Sequence, residues 1–215
     1  MIKSIYFIVF LLGSIYGQTF QIARIQYGGG GDWYCDPSSL PNLLNYLTNN
    51  TPISTYPEEV RIKLSDDKAT QYPYLYLTGH GNIKFKENEI IALRSMLLDG
   101  SFLHVDDNYG LDKPFRREIK KVFPNKDLVE LPKNHEIFNS YFNFPNGLPK
   151  IHEHDKKPPQ AFALFHKKRM ILLYTYESDL GDGWEDPSVH QDPWPVRESA
   201  LKMGVNIIYF ALSQL

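Results

Sequence analysis

Apolar residues along the chain follow two kinds of spacing, one typical of strands and the other of helices. Segments of the two kinds alternate along the sequence. Residues 60–64 alternate between apolar and charged side chains, and residues 72–77 form a near-continuous apolar run. These patterns predict two strands, the second of them a buried parallel strand. Leucines at 40, 43, 44 and 47 fall on one helical face. Together with an imperfectly alternating strand at residues 20–27, this helix forms the first predicted βα unit.

The rest of the chain continues the alternation of strands and helices. Residues 128–159, rich in proline, asparagine and glycine, predict an irregular insertion. Further predicted elements are helices over 86–98, 115–123 and 197–215, a strand over 101–105, and a hairpin of 162–165 with 170–176. This order predicts an α/β fold, a three-layer sandwich with a mainly parallel, flavodoxin-like sheet.

The first 17 residues have the layout of a signal peptide. Lys3 precedes an apolar stretch at residues 5–12, and small residues lead to Gln18. We expect cleavage near Gln18, which leaves one domain at residues 18–215 in the periplasm or cell envelope. The apolar stretch is shorter than a usual spanning helix, which favours a cleaved leader over an anchor. If the leader is not cleaved, it is the only part of the chain expected to contact the membrane.

Composition excludes some classes of binding partner, but it does not identify the partner that the protein has. The formal net charge is -2, so no basic field attracts nucleic acid. Cys35 is the only cysteine, which excludes an intrachain disulfide. We interpret Cys35 as a small buried side chain in a turn rather than as a nucleophile. The sequence gives no indication of the oligomeric state.

Chemically unusual segments directly follow several predicted strands. They begin at Gly28 (GGGGDWY), Thr78 (TGHG) and His104 (HVDDNYG). Ligands of open α/β sheets bind beyond the carboxyl ends of the strands. We therefore expect His80, Asp106 and Asp107 around one pocket, together with at least one of two histidines in the insertion, His152 and His154.

With these segments placed, the sequence resembles domain-of-unknown-function family 4159, a bacterial family of the class I glutamine-amidotransferase-like superfamily. The resemblance is carried by YGGGGDWYCDPSSLPNLL, YPYLYLTGHGNIKF, GSFLHVDDNYG, LPKIHEHD and YTYESDLGDGWEDP. It implies the three-layer fold and no particular activity. Amidotransferases present a cysteine at the corresponding strand end, where this chain has Asp106 or Asp107. A carboxylate does not attack an amide as a thiolate does, so amidotransferase activity is not expected. Trehalose-utilisation-like relatives in the superfamily suggest a carbohydrate ligand by analogy.

The motif His152-Glu153-His154-Asp155 is the sharpest local feature. In an extended segment His152 and His154 share a face, so both can bind one divalent ion, with zinc as the first candidate. A solvated loop with structural ion pairs explains the same motif without a metal. No cofactor other than such a metal is indicated.

Two sets of candidate site residues follow from these positions. The catalytic set consists of acid–base groups at strand ends: His80, Asp106, Asp107 and Glu177. The ligand-binding set consists of loop residues beside them: Gly30, Asp32, Trp33, Tyr34, Asn108, Tyr109, Asp179 and Trp184. For the aspartates and Trp184, capping or packing within a turn is the competing explanation.

Two function classes remain open from the sequence. One is an exported hydrolase-like enzyme acting on a small polar or carbohydrate-like ligand, with or without a metal. The other is a non-catalytic ligand-binding or envelope-assembly module that has the fold without the nucleophile. Whether the strand-end carboxylates meet His152 and His154 in space discriminates between these classes.

Overall fold

The computed structural model describes residues 19–214, so the predicted leader at residues 1–17 lies outside the described part. The strands are β1 (Ala23–Ile25), β2 (Val60–Ile62), β3 (Tyr74–Leu77), β4 (Phe102–Asp106), β5 (Val129–Glu130), β6 (Gln160–His166) and β7 (Arg169–Tyr176). The α-helices are α1 (Ser39–Asn50), α2 (Glu87–Asp99), α3 (Asp112–Val122), α4 (Leu180–Trp184), α5 (Pro187–His190) and α6 (Trp194–Ser213). Two short 3₁₀ helices span Asp67–Gln71 and Glu136–Asn139.

The seven strands form one sheet in the order β2-β1-β3-β4-β7-β6-β5. Five neighbouring strands, β2, β1, β3, β4 and β7, run parallel. The β6–β7 hairpin then turns the chain back, and β5 pairs antiparallel with β6. The predicted α/β class with a mainly parallel sheet is thus confirmed.

Hydrophobic cores lie on both faces of the sheet, because the central strands are buried on both sides. In β3, Tyr74 and Tyr76 belong to the core that contains α1 and α6, whereas Leu75 and Leu77 belong to the core that contains α2 and α3. This two-sided burial explains why β3 is a continuous apolar run in the sequence. It also leaves the strand ends as the places where polar residues can gather.

The predicted insertion is the least regular part of the described chain. Between residues 128 and 159 it contains only β5 and one 3₁₀ helix. Its last part folds back over the carboxyl end of β7, where Ile151 N donates to Ser178 O at 2.9 Å and Asp155 N donates to Glu177 Oε1 at 2.7 Å. The insertion therefore delivers its two histidines to the edge at which β4 and β7 end.

Within residues 19–214, none of the helices combines the length and apolar character that crossing a bilayer would require. The longest of them is α6, with 20 residues. It packs against α1 and α4, and it buries residues such as Met203, Ile207 and Phe210 in the core of its face. Its apolar surface is therefore used within the fold.

Candidate functional site

Two adjacent parallel strands bring the central carboxylates together. Asp106 at the end of β4 pairs in register with Thr175 of β7. Asp107 and Glu177 follow these two strands directly, and Glu177 N donates to Asp107 Oδ2 at 3.0 Å. The carboxyl edge between β4 and β7 is therefore where the candidate site is built.

Asp106 lies inside the fold, with 1% of its surface exposed. Thr175 Oγ1 donates to its Oδ1 at 2.6 Å, and Gly181 N donates to its Oδ2 at 2.5 Å. Burial and the neighbouring Asp179 raise the pKa of Asp106 well above its usual value. The carboxyl group thus anchors the first turn of α4 and has little contact with solvent.

Asp107 and His154 lie side by side in the site, with 4% and 10% of their side-chain surfaces exposed. Tyr174 Oη donates to Asp107 Oδ1 at 3.0 Å, which fixes the carboxylate. His154 Nδ1 lies 3.7 Å from Asp107 Oδ2, and its Nε2 lies 2.9 Å from Asp179 Oδ2. Burial lowers the pKa of His154, but the carboxylates of Asp107 and Asp179 outweigh it and raise the pKa to about 10. Each nitrogen of this imidazole therefore faces a carboxylate.

The second histidine continues the same chain of contacts. His152 Nδ1 lies 2.9 Å from Asp182 Oδ2 and 3.5 Å from Asp179 Oδ2, and its Nε2 lies 3.0 Å from Asp192 Oδ2. We call the whole set the imidazole–carboxylate network; its members are Asp107, His154, Asp179, His152, Asp182 and Asp192. The two predicted histidines are thus brought together through the shared Asp179 carboxylate.

Charged groups in the network and beside it shift one another's pKa values. Hydrogen bonds to Asp179 and Asp182 raise the pKa of His152 to about 11. Burial raises the pKa of Asp179, but His152 and His154 outweigh it and lower the pKa to about 2. Burial and then Asp182 raise the pKa of Asp36 to about 7. The network is therefore an ionic cluster crowded with carboxylates.

The turn after β7 holds its residues in an uncommon backbone conformation. Glu177 and Asp179 have φ values of 57° and 58°, a region that non-glycine residues seldom adopt. Glu177 is fully buried and pairs with Lys150 Nζ at 2.9 Å. Burial raises the pKa of Glu177, but Lys150 outweighs it, so the pKa is lowered overall. Such local strain is typical of turns that position functional side chains.

An open cleft of about 450 Å³ lies against the Asp107 side of the network. Its walls carry both charge signs: Lys113 and Arg117 are positive, and Asp112 and Asp155 are negative. We call it the Asp107 cleft; it is lined by Asp107, Asn108, Tyr109, Gly110, Asp112, Lys113, Pro114, Arg117, His154, Asp155, Tyr176 and Glu177. This lining suits a small polar ligand better than an apolar one.

Tyr109 gives the cleft an aromatic rim. The side chain is 64% exposed, and its ring centroid lies 6.4 Å from that of His154 in an edge-to-face arrangement. The preceding residue, Asn108, is buried, and its Nδ2 donates to Asp36 Oδ2 at 3.4 Å. An exposed aromatic ring beside polar groups provides a stacking surface for a flat or sugar-like ligand.

The structure places the predicted residues of the β1 and β3 loops on a separate part of the edge. Asp32 Oδ2 lies 3.1 Å from His80 Nδ1, and the His80 backbone N–H also donates to Asp32. Neither residue lines the Asp107 cleft, nor do Gly30, Trp33 and Tyr34 of the same loop. The Asp32–His80 pair is therefore not brought together with the imidazole–carboxylate network.

Neither Trp184 nor Cys35 is among the residues that line the Asp107 cleft. Trp184 is completely buried among the helices, with Nε1 donating to Ala200 O at 2.8 Å. Cys35 Sγ donates to Asp36 Oδ2 at 3.1 Å, and burial followed by Asp36 raises the pKa of the thiol. A thiol in this environment is a poor nucleophile, in agreement with its interpretation from the sequence.

Three groups of side chains in the described residues have ligand atoms close enough to consider for a metal. In each group these atoms lie within 4.8 Å of one another. The groups are Asp32 with Cys35 and His80, Asp107 with His154 and Glu177, and His152 with Asp182 and His190. The last is the only one of the three that offers two imidazoles.

Several members of the site were missed from the sequence. Asp36 reaches the site from the loop before α1, Asp182 from α4, His190 from α5 and Asp192 from the loop after α5. A usable signal was the spacing of Asp179 and Asp182, which places two carboxylates one helical turn apart.

The family model DUF4159, described as a domain of unknown function, matches residues 21–212 of the chain. The matched range includes every residue of the Asp107 cleft and of the imidazole–carboxylate network. A comparison with curated proteins finds no match.

Proposed function

The chain belongs to the DUF4159 family of domains of unknown function, and we propose that it is an exported hydrolase-like enzyme acting on a small polar or carbohydrate-like ligand. The ligand binds in the Asp107 cleft. The observation that carries this proposal is the position of His154 between two carboxylates at the cleft wall. A carboxylate that fixes one imidazole nitrogen while the other serves the reaction is a recurring arrangement in acid–base catalysis.

In the proposed mechanism, Asp179 orients the His154 ring through Nε2. His154 Nδ1 has no hydrogen-bond partner in the described chain and lies 3.7 Å from Asp107 Oδ2. A ligand hydroxyl or a water molecule that bridges these two groups from the cleft side can receive a proton from the His154 imidazolium or give one to the Asp107 carboxylate. Tyr109 provides the stacking surface, and Lys113 and Arg117 bind anionic or hydroxyl groups of the ligand.

Amidotransferase activity is not part of the proposal. Asp106 is the last residue of β4, where the related fold would require a cysteine, and it accepts hydrogen bonds from Thr175 and Gly181. The strand order β2-β1-β3-β4-β7 supports a flavodoxin-like, amidotransferase-like superfamily assignment, which we propose together with export through the leader.

The test is a set of matched variants assayed on model substrates. We expect the purified protein to hydrolyse at least one of a panel of p-nitrophenyl glycosides and esters. His154→Gln and Asp107→Asn should each reduce kcat by about 100-fold or more, as expected for the loss of an acid–base group. His166→Gln is the control, because His166 ends β6, which runs antiparallel to β7 and so ends at the opposite sheet edge. Equal rates in His154→Gln and wild type would contradict the catalytic role.

A non-catalytic binding module is the second candidate, favoured by the enclosure of His154 Nδ1. It predicts saturable binding of mono- or disaccharides, measured by calorimetry, with no turnover of the panel. Tyr109→Ala should then weaken binding by about tenfold or more, which corresponds to the loss of one stacking contact. Turnover by the wild type would reject this alternative.

A further inference from the structure

A second group of side chains lies on the other side of Asp179 from the Asp107 cleft. We call it the His190 cluster; it consists of His152, Asp182 and His190. His152 Nδ1 lies 2.9 Å from Asp182 Oδ2, and His190 Nε2 lies 3.4 Å from Asp182 Oδ1. The two imidazole rings are 4.9 Å apart between centroids. The insertion and the consecutive helices α4 and α5 thus place two ring nitrogens and one carboxylate within 4.8 Å of one another.

Negative charge exceeds positive charge around this cluster. The carboxylates there are Asp36, Asp179, Asp182, Glu185 and Asp192. In the part of the chain that the structure describes, only imidazoles lie within ion-pair distance of Asp179, Asp182, Glu185 and Asp192. Because carboxylates in a partly buried site repel one another, a cation would stabilise this arrangement.

Asp179 provides an independent indication of a missing partner. It is 2% exposed, and its Oδ1 has no hydrogen-bond donor among residues 19–214. Its other oxygen lies 3.5 Å from His152 Nδ1, so the unpartnered atom is adjacent to the cluster. A buried carboxylate oxygen without a donor is costly, and such groups usually have a bound water or ion.

We propose that His152, Asp182 and His190 bind one divalent transition-metal ion of the zinc type, with Asp179 supplying a neighbouring oxygen. Ligands about 2.1 Å from a tetrahedral zinc are about 3.4 Å apart. In the cluster the two nitrogen–oxygen separations are 2.9 and 3.4 Å, and one ligand atom from each of the three residues lies within 4.8 Å of the others. Two imidazoles and a carboxylate select zinc-like ions, whereas magnesium and calcium prefer oxygen ligands alone. This set replaces the His152–His154 pair expected from the sequence, because His154 is held between Asp107 and Asp179.

The cluster is open on one side. The side chains of His190 and His152 are 30% and 25% exposed, so an ion bound there would remain accessible to water. Closed structural zinc sites have four protein ligands, whereas catalytic sites leave one position free. The proposal does not depend on turnover in the Asp107 cleft, because metal binding can be measured alone.

The experiment measures metal binding directly. The purified protein is stripped with a chelator and titrated with ZnCl₂ by calorimetry, and CoCl₂ serves as a spectroscopic probe of tetrahedral coordination. We expect one zinc per chain. His190→Gln and Asp182→Asn should each weaken zinc binding by at least about tenfold, since even the loss of an outer-shell partner has an effect of that size.

His166→Gln at the opposite sheet edge is the matched control and should bind zinc like the wild type. Far-UV circular dichroism checks that each variant folds, and the partly exposed His190 is the substitution least expected to disturb folding. The proposal is overturned if the wild type shows no saturable zinc binding, if His190→Gln binds with wild-type affinity, or if calcium binds more tightly than zinc. Zinc binding without turnover would contradict the hydrolase function only, and turnover without zinc binding would contradict this site only.

Discussion

At the scale of single residues, two consecutive aspartates in the same motif have opposite environments. Asp106 points under α4 and accepts hydrogen bonds from Thr175 and Gly181, whereas Asp107 points to the cleft and contacts Tyr174 and His154. The alternation of side chains at a strand end accounts for this difference. The sequence alone predicted carboxylates at this edge without showing which one a ligand could reach.

His104 gives a prediction about stability and pH. It is completely buried in β4, with Nε2 3.1 Å from Thr175 Oγ1, and burial lowers its pKa to about 3. Below pH 6.5 the unfolded chain therefore takes up a proton at this site that the native protein does not, so stability falls as the pH falls. The loss is about 1.4 kcal/mol per pH unit and ends near pH 3. Urea unfolding of His104→Gln at pH 7, 6 and 5 should show a correspondingly shallower pH dependence than the wild type.

The control for this experiment is Leu103→Ala in the same strand. It should lower the free energy of unfolding by about 2–5 kcal/mol at each pH, because it leaves a cavity without changing a titrating group. Its pH dependence should parallel that of the wild type. Parallel curves for His104→Gln and wild type would instead mean that His104 takes up its proton in the native state.

At the scale of elements, α4 depends on close packing against α6. A Cβ atom at Gly183 would lie 2.5 Å from Ala200 Cβ and 3.0 Å from Ile151 Cγ2. Gly183→Ala should therefore reduce the free energy of unfolding by about 1–3 kcal/mol through overpacking. Chemical denaturation of the single variants and of Gly183→Ala with Ala200→Gly measures the effect. The double variant should be more stable than the two separate losses predict, since the clashing methyl group is absent; additive losses would contradict the contact.

The elements that the sequence predicted best are those in which the apolar residues themselves follow a strand or helix pattern. The apolar run at residues 72–77 contains β3, and the leucines of α1 lie on its buried face, as expected. The short helix α4 was missed because Gly181 and Gly183 oppose helix formation and no apolar repeat marks it. It forms where the backbone N–H groups of its first turn can donate to Asp106, a partner 75 residues away along the chain from Gly181. Local sequence could not indicate such a cap.

At the scale of the whole molecule, the net charge is small although negative charge is concentrated in one place. The chain carries a formal charge of -2, yet the edge where β4 and β7 end collects the carboxylates of the network. The rule that parallel strands end at one edge predicted a shared pocket for His80, Asp106 and Asp107. Asp106 and Asp107 do lie together where β4 and β7 end, whereas His80 pairs with Asp32 outside the Asp107 cleft. The contributions of α4, α5 and the insertion arise from tertiary packing, so the complete site required the structure.

The two hydrophobic cores share the strands of one sheet, and this arrangement predicts cooperative unfolding. Alternate residues of β3 enter opposite cores, so neither face can lose its packing while the other keeps a native sheet.

Trp184 reports on the α1–α6 face, and Leu93 is fully buried in α2 on the other. In a background with Trp33 and Trp194 replaced by phenylalanine, Leu93→Ala should shift the urea midpoint of Trp184 fluorescence and of far-UV circular dichroism together. The cavity should cost about 2–5 kcal/mol in both signals. An unchanged fluorescence midpoint would mean that the faces unfold separately, and the proposed sites at their shared edge would then lack a common scaffold.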